Sequence, residues 1–165
     1  MESLVELNNQ EIKRKLEQPK ISIGLPIYNS EKFIHKRIEN LLTQTFTDFE
    51  LIISDNASTD NSVKICKEFM KNDSRIKLYV QDHNIGQFKN YNFVLEQALG
   101  EYFVWIAADD LLLPKFLEKN VKILDTKKNV VTSGSKLRMF GEFTASLKEN
   151  KNDSVLNKIE KKIKT

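Results

Sequence analysis

The chain has 165 residues, with 26 Lys and Arg against 23 Asp and Glu for a net charge of +3; 40% of its residues are hydrophobic and 30% are charged. That is enough apolar chain for one domain with a core of its own, and the charge excess is too small to mark a nucleic-acid binder. A single cysteine, Cys66, excludes an intrachain disulfide framework and fits a reducing compartment.

Residues 1–19 are polar, with Val5, Ile12 and Leu16 at loose helical spacing. They predict an N-terminal helical extension ended by Pro19. It contains no secretory h-region, and no apolar run in the chain approaches the roughly 20 residues of a membrane span. A cytoplasmic protein is expected. The stretch KISIGLPIYN alternates Ile21, Ile23, Leu25 and Ile27 and reads as a strand with Pro26 near its end. Ser30 is placed to cap a helix whose stripe is Ile34, Ile38, Leu41 and Leu42. FELIIS is a continuous apolar run, as in a strand covered on both faces. DNASTD is a turn cluster, and Asp60 is placed to cap a helix that buries Val63, Cys66, Phe69 and Met70.

IKLYV predicts a third strand and HNIGQ a turn, where Gly86 supplies backbone freedom. The following helix carries Phe88, Tyr91, Leu95 and Leu99 on one face, with Asn92 leaning towards it, and Gly100 stops it. EYFVWIAA predicts a fourth strand closed by Asp109 and Asp110. Pro114 suits the first turn of a helix with Phe116, Leu117, Val121 and Leu124 inside, and NVVTSGS predicts a fifth strand. From about Lys148 the chain is polar and lysine-rich, with Val155, Leu156, Ile159 and Ile163 spaced for a short helix, more often solvated or partner-bound but able to touch an acidic membrane surface. The expected division is an extension over 1–19, a domain over 20–147 and a tail over 148–165.

Strands alternating with helices imply a mainly parallel sheet. Ligands of such sheets bind beyond the C-terminal strand ends, where strand order reverses. The segments from Pro26 to Ser30, Asp55 to Asp60, His83 to Gly86 and Asp109 to Asp110 all fall at such ends. A carboxylate there can hold magnesium, which takes one or two carboxylates and fills its octahedron with diphosphate oxygens and water. The structural alternative is that Asp110 caps the next helix and Asp109 is solvated. Asp55, an acceptor without a proton to give, can read the imide N–H of a uracil or thymine ring, or close an Asx-turn. Tyr28 and Asn29 offer a stacking face and an amide, Lys89 and His83 phosphate contacts; each is equally an ordinary turn or loop residue. Dinucleotide, P-loop, paired CxxC and GxSxG signatures are absent from the sequence.

Taken in order, ISIGLPIYNSEKFI, LLTQTFTDFELIISDNASTDNS, NIGQFKNYNFVLEQALGEYFVWIAADD and LLLPKFLEK resemble the nucleotide-binding half of family 2 glycosyltransferases, over about residues 20–125. The resemblance implies a GT-A fold: a Rossmann-like, mainly parallel α/β sheet flanked by helices. It implies that Pro26, Tyr28, Asn29 and Glu31 line the nucleotide pocket and that Asp55 contacts the base, with Asp60 at the acidic end of the same loop. Asn84, Gly86 and Asn92 match the pattern beside the nucleotide and its phosphates. Asp109 matches the second acid of the metal-binding DxD, followed by Asp110, and the implied cofactor is Mg2+ or Mn2+. The first DxD acid is replaced by Ala107.

The implied activity is metal-dependent, inverting transfer from a nucleoside-diphosphate sugar of UDP, dTDP or GDP type. The acceptor would be a hydroxyl on a glycan or a lipid-linked molecule. The family's acceptor half and its catalytic base are expected after the fifth strand, and neither Glu142 nor Asp153 stands in a recognisable base motif. The alternative expectation is therefore a non-catalytic fragment, incomplete in its C-terminal half, that binds a nucleotide sugar or a partner. An apolar patch left by a missing half would favour self-association.

Overall fold

The structure, a computed structural model, describes residues 18–135 and, as backbone, residues 158–161. The extension expected over 1–19 falls almost wholly outside the described residues, as do Glu142 and Asp153 in the C-terminal stretch. Four parallel strands form the body of the sheet: β1 (Ile21–Ile27), β2 (Phe49–Asp55), β3 (Ile76–Val80) and β4 (Tyr102–Trp105). They are joined by α1 (Glu31–Leu42), α2 (Ser62–Asn72) and α3 (Gln87–Glu96), and α4 (Phe116–Thr126) follows β4. Two short strands complete the sheet, β5 (Thr132–Gly134) and β6 (Lys158–Lys161). The order is β3-β2-β1-β4-β6-β5, with β6 antiparallel to both neighbours. The short helix expected around Ile159 is thus a strand: pairing with β4 and β5 overrides the apolar spacing there.

All residues of β1 and β2 are buried, so both strands are covered on both faces. The odd-numbered residues Ile21, Ile23, Leu25, Phe49, Leu51 and Ile53 join Ile34, Ile38 and Leu41 of α1, Cys66 of α2 and Phe116, Leu117, Val121 and Leu124 of α4 in the larger core. On the opposite face a smaller core gathers Ile52, Val94, Ala98 and Phe103. Helix α3 therefore lies alone on one face among the described helices, and the other three share the second.

That arrangement corrects two helix faces. Helix α3 buries Asn90 and Val94, and Ala98 just past its end continues that side, whereas Phe88 is 86% exposed and Leu99, also past the end, 49% exposed. The amide directed inwards is consequently Asn90, and Asn92 is exposed. The helix settles on Gly24, where a Cβ would come within 2.6 Å of Phe103 and 2.7 Å of Val94. On α2, Cys66 is buried and Ile65 and Phe69 are half-buried, while Met70 is turned out. Apolar composition alone did not separate these faces, because each helix has apolar residues on its outer side as well.

Other boundaries shift for local reasons. Ser30 occupies the N-cap of α1, but its hydroxyl donates to the Tyr28 carbonyl instead of capping. Pro114 precedes α4 rather than opening it; Lys115 is the N-cap, and the Pro114 carbonyl accepts the Thr45 N–H at 2.9 Å. Gly100 lies beyond the end of α3. It is required by close approach, since a Cβ there would sit 2.5 Å from the Ser22 backbone nitrogen.

The edge of the sheet away from the strand C-termini is fastened by one buried acid. Glu50 accepts from the Ser22 hydroxyl, the Leu99 N–H at 2.7 Å and the Lys77 ammonium at 2.7 Å, and Ser22 in turn accepts the Gly100 N–H at 2.7 Å. Glu50→Ala strands the buried Ser22 hydroxyl and the part-buried Leu99 N–H together. We expect it to lower the unfolding free energy by about 2–4 kcal/mol, read as a reduced urea midpoint at unchanged slope.

Candidate functional site

The chain runs outward from β1 to β2 and β3, then returns to place β4 on the other side of β1, so strand order reverses between β1 and β4. Alternate residues of a strand direct their backbone groups to the same neighbour. The Gly24 carbonyl accepts the Ile106 N–H at 2.9 Å, so residue 26 also faces β4, and there Pro26 has no N–H to give. The ladder with β4 ends at Gly24 and Trp105. Beyond it the strands part around a cleft of about 370 Å³. Its walls are Pro26, Ile27 and Tyr28 from β1, Asn56 after β2, Asn84, Gln87, Asn90 and Tyr91 from α3 and its approach, and Ala107, Ala108 and Asp109 after β4.

The amides of the cleft are fixed from behind. Asn90 accepts the Ser54 hydroxyl at 2.6 Å and donates to the Ser54 carbonyl at 2.9 Å. Asn56 donates to the Asn84 side chain at 2.9 Å and accepts the Ile85 N–H at 2.8 Å, and Asn84 also accepts the Gly86 N–H at 2.9 Å. Gly86 has φ +87°, a conformation that favours glycine, and from it α3 departs.

The loops after β1 and β2 are locked together by acids. Asp60 accepts the Glu31 N–H at 3.0 Å with one oxygen, and with the other the Ser62 N–H at 2.9 Å and the Ser62 hydroxyl at 2.6 Å. One carboxylate thus serves the first turns of α1 and α2, where a negative charge also meets both helix dipoles. Glu31 reciprocates by accepting the Asn61 N–H at 2.9 Å. Burial works against the Asp60 charge, but the hydrogen bonds from Ser62 and Glu31 prevail and hold its carboxyl below the ordinary value of 3.8. Asn29, at φ +46°, accepts the Thr59 N–H at 2.9 Å, and Ala57 is also left-handed at φ +61°.

Asp55 lies under these loops. It is completely buried, one oxygen accepts the Ser58 N–H at 2.9 Å, and the other has no hydrogen-bond partner among the described residues. It points to the face of α2, where burial and then the Asp55 charge push the Cys66 thiol up to about 12, so Cys66 is packed and inert.

The acidic pair sits in a turn, not at a strand end: β4 stops at Trp105, and the Asp110 N–H reaches the Ala107 carbonyl at 3.4 Å. Side-chain alternation therefore does not assign its faces. Asp109 is exposed at the cleft wall and Asp110 is half-buried. Behind them, on α1, Arg37 is completely buried. Burial lowers its pKa to about 10, against the opposing pull of Asp110 and Asp109. No cluster of three or more His, Cys, Asp or Glu side chains among the described residues could cage a metal. Two neighbouring carboxylates do fit a hard cation that takes its remaining oxygens from a diphosphate and water.

Of the residues singled out in the sequence, the cleft brings together Pro26, Tyr28, Asn84 and Asp109. Asn29, Glu31 and Asp60 belong to the loop lock beside it, Gly86 to the turn below it and Asp55 to the layer beneath. Asn92 does not line it; Asn90 does. Asn56, Gln87, Asn90, Tyr91 and Arg37 were not anticipated. For Asn90 the available signal was its spacing to Val94 and Ala98. For Arg37 it was a cation in the stripe of Ile34, Ile38 and Leu41.

The fold is that of the GT-A glycosyltransferases. It superposes on S. aureus TarS 1-349, solved in complex with UDP-GlcNAc, with a TM-score of 0.61 and 30% identity over 64% of this chain and 31% of that one. It also matches the mannosyltransferase PcManGT from Pyrobaculum calidifontis, solved with GDP-Man and Mn2+, with a TM-score of 0.64 and 23% identity over 76% of this chain and 41% of that one. Residues 22–164 match the family described as Glycosyl transferase family 2, and the chain belongs to that family. Among curated relatives it is 36% identical over 126 residues to EpsE of Bacillus subtilis (strain 168), assigned to the glycosyltransferases, covering 76% of this chain and 45% of EpsE. The chain spans a third to a half of the length of the first curated relatives it matches. No helix among the described residues is long and apolar enough to cross a membrane.

The Asp60 lock has a pH signature. A depressed folded pKa contributes stability that is present above the unfolded value and lost as pH falls through the folded one. Asp60→Ala is expected to cost about 1 kcal/mol at pH 7, the usual loss for a helix cap. In urea titrations the gap to wild type should narrow once the pH falls below the ordinary carboxyl value of 3.8.

Proposed function

We propose that the cleft binds the nucleoside-diphosphate part of a sugar donor, for transfer of the sugar to an acceptor hydroxyl with inversion. The observation that carries this reading is the gap between β1 and β4, where Tyr28, three braced amides and Asp109 share one cleft at the reversal of strand order. Tyr28 is 49% exposed and offers its ring to a base. Asp55 offers the acceptor for a ring imide N–H, the donor its free oxygen lacks. Because that carboxylate is closed over, the contact requires the surrounding turn to open, and left-handed Asn29 and Ala57 are where it would give.

Asp109 and Asp110 would hold Mg2+ or Mn2+ together with the diphosphate. The metal would offset the charge that develops on the leaving diphosphate. In the transfer, the acceptor oxygen bonds to the anomeric carbon as the bond to the diphosphate breaks, and the hydroxyl proton passes to a base. Asp109 is the only carboxylate or imidazole in the cleft wall among the described residues, and the metal role occupies it. The residues described here are therefore assigned donor binding, and a nucleotide-sugar-binding unit without chemistry of its own is the second reading.

Thermal shift with UDP, dTDP and GDP, each with and without Mn2+, tests donor binding. Metal-dependent stabilisation is expected, and no shift with any of them at millimolar concentration would overturn the proposal. Asp109→Ala should abolish the metal-dependent part. Asp55→Ala should weaken the uracil or thymine nucleotides by about ten- to a hundredfold, the value of one charge-assisted hydrogen bond, measured by calorimetric titration. Donor hydrolysis, or transfer to a supplied acceptor, distinguishes an enzyme from a binding unit.

A further inference from the structure

We propose that Arg37 is a counter-charge built in behind the acidic turn, keeping divalent cations off Asp109 and Asp110 until a diphosphate arrives with them. The inference rests on the donor-binding reading and adds an order of binding to it. Arg37 is completely buried, and its only hydrogen bond among the described residues is a long one, 3.3 Å from Nη1 to the Asn40 side chain. Nε and Nη2 have no partner there, and no described carboxylate forms an ion pair with the guanidinium. A buried cation held this way keeps its field instead of losing it to a close partner or to water.

The turn is fixed relative to that charge. Asn40 accepts the Leu112 N–H at 2.8 Å and donates to the Leu112 carbonyl at 2.9 Å. Gln44 donates to the Leu113 carbonyl at 3.0 Å, and the Thr45 N–H meets the Pro114 carbonyl at 2.9 Å. Helix α1 and the residues just past its end therefore carry both the cation and the clamp that holds residues 112–114, which follow Asp109 and Asp110 closely in the chain.

Charge decides the consequence. With alanine at position 107, the turn itself offers two negative charges, Asp109 and Asp110, and the field of buried Arg37 reaches both. A free divalent ion meets a weakened site. A cation already paired with a diphosphate brings its own oxygens and needs only a carboxylate or two from the protein. The free protein should bind Mn2+ poorly, and UDP should raise its affinity.

The test is Mn2+ binding by the full chain, followed by the electron paramagnetic resonance of the free ion, with and without UDP. Arg37→Met removes the charge at similar volume, a replacement that buried ions commonly tolerate. It should tighten Mn2+ binding to the nucleotide-free protein by about tenfold and shrink the effect of UDP, because an opposing charge in a medium of intermediate dielectric has gone. Arg37→Lys should behave as wild type, and Arg37→Gln repeats the neutral case should the methionine variant not fold. A merely structural role would lower affinity or leave it alone; it would not raise it. Wild type that binds Mn2+ with UDP, with neutral variants no tighter for Mn2+ alone, overturns the counter-charge and leaves the donor site standing. No UDP-dependent Mn2+ binding by wild type overturns both.

Discussion

The ladder between β1 and β4 ends at Gly24 because Pro26 has no N–H to continue it, and the rest of the rim is arranged around that ending. A fully paired sheet would leave no space between two central strands. Here one imino residue releases the chain after Ile106, so that it turns through Ala107 to Asp110 instead of extending. The cleft lies in the resulting gap, and its position at the reversal of strand order lets residues from β1, β2, α3 and the turn after β4 reach it.

Rigidity around the gap comes from polar groups fixed by other polar groups. Asp60 and Glu31 cross-link the first turns of two helices, and Asn56 and Asn84 fasten the approach to α3. Each of these contacts joins residues about 30 positions apart, so the loops hold their shape through tertiary bonds and not through local turn preference. The left-handed backbone at Ala57, where a Cβ costs roughly 1–2 kcal/mol, persists because its surroundings fix it. The same loops close over Asp55 and leave one of its oxygens unmet. Strain and an unsatisfied acceptor meet at one place, the place where the proposed base contact would satisfy the one and relieve the other.

On the other side of the gap the electrostatics are set by a residue that never reaches the surface. Asn40 of helix α1 and Gln44 just beyond it hold the segment after β4, and Arg37, one turn earlier, donates to the Asn40 side chain. Two of the three are neutral amides that satisfy backbone groups. The third is a cation whose remaining donors are not satisfied by any described residue. On the proposed reading, a turn with fewer acids and a buried cation behind it would be a weaker trap for bare metal, and the anionic ligand would then be part of the metal site.

The amino-acid sequence by itself determined the succession of the four parallel strands and their helices along the chain, since regularly spaced apolar residues in β1 and the unbroken apolar run in β2 mark strands, although β1 proves buried on both faces and not on one. The resemblance in the segments ending DNASTD and AADD identified the family, which the match over residues 22–164 bears out. The inner stripes of α1 and α4 were legible in the sequence, whereas tertiary structure alone decided which side of α2 and α3 is inside. Asn90 displaced Asn92 because α3 must meet Gly24, and a residue 70 positions away is invisible to helical periodicity. It also decided that Ile159 joins a strand, since β-pairing depends on partners remote in the chain. Arg37 marks the same limit: its sequence neighbours show a cation in an apolar stripe, and only the fold shows the two carboxylates whose field it opposes.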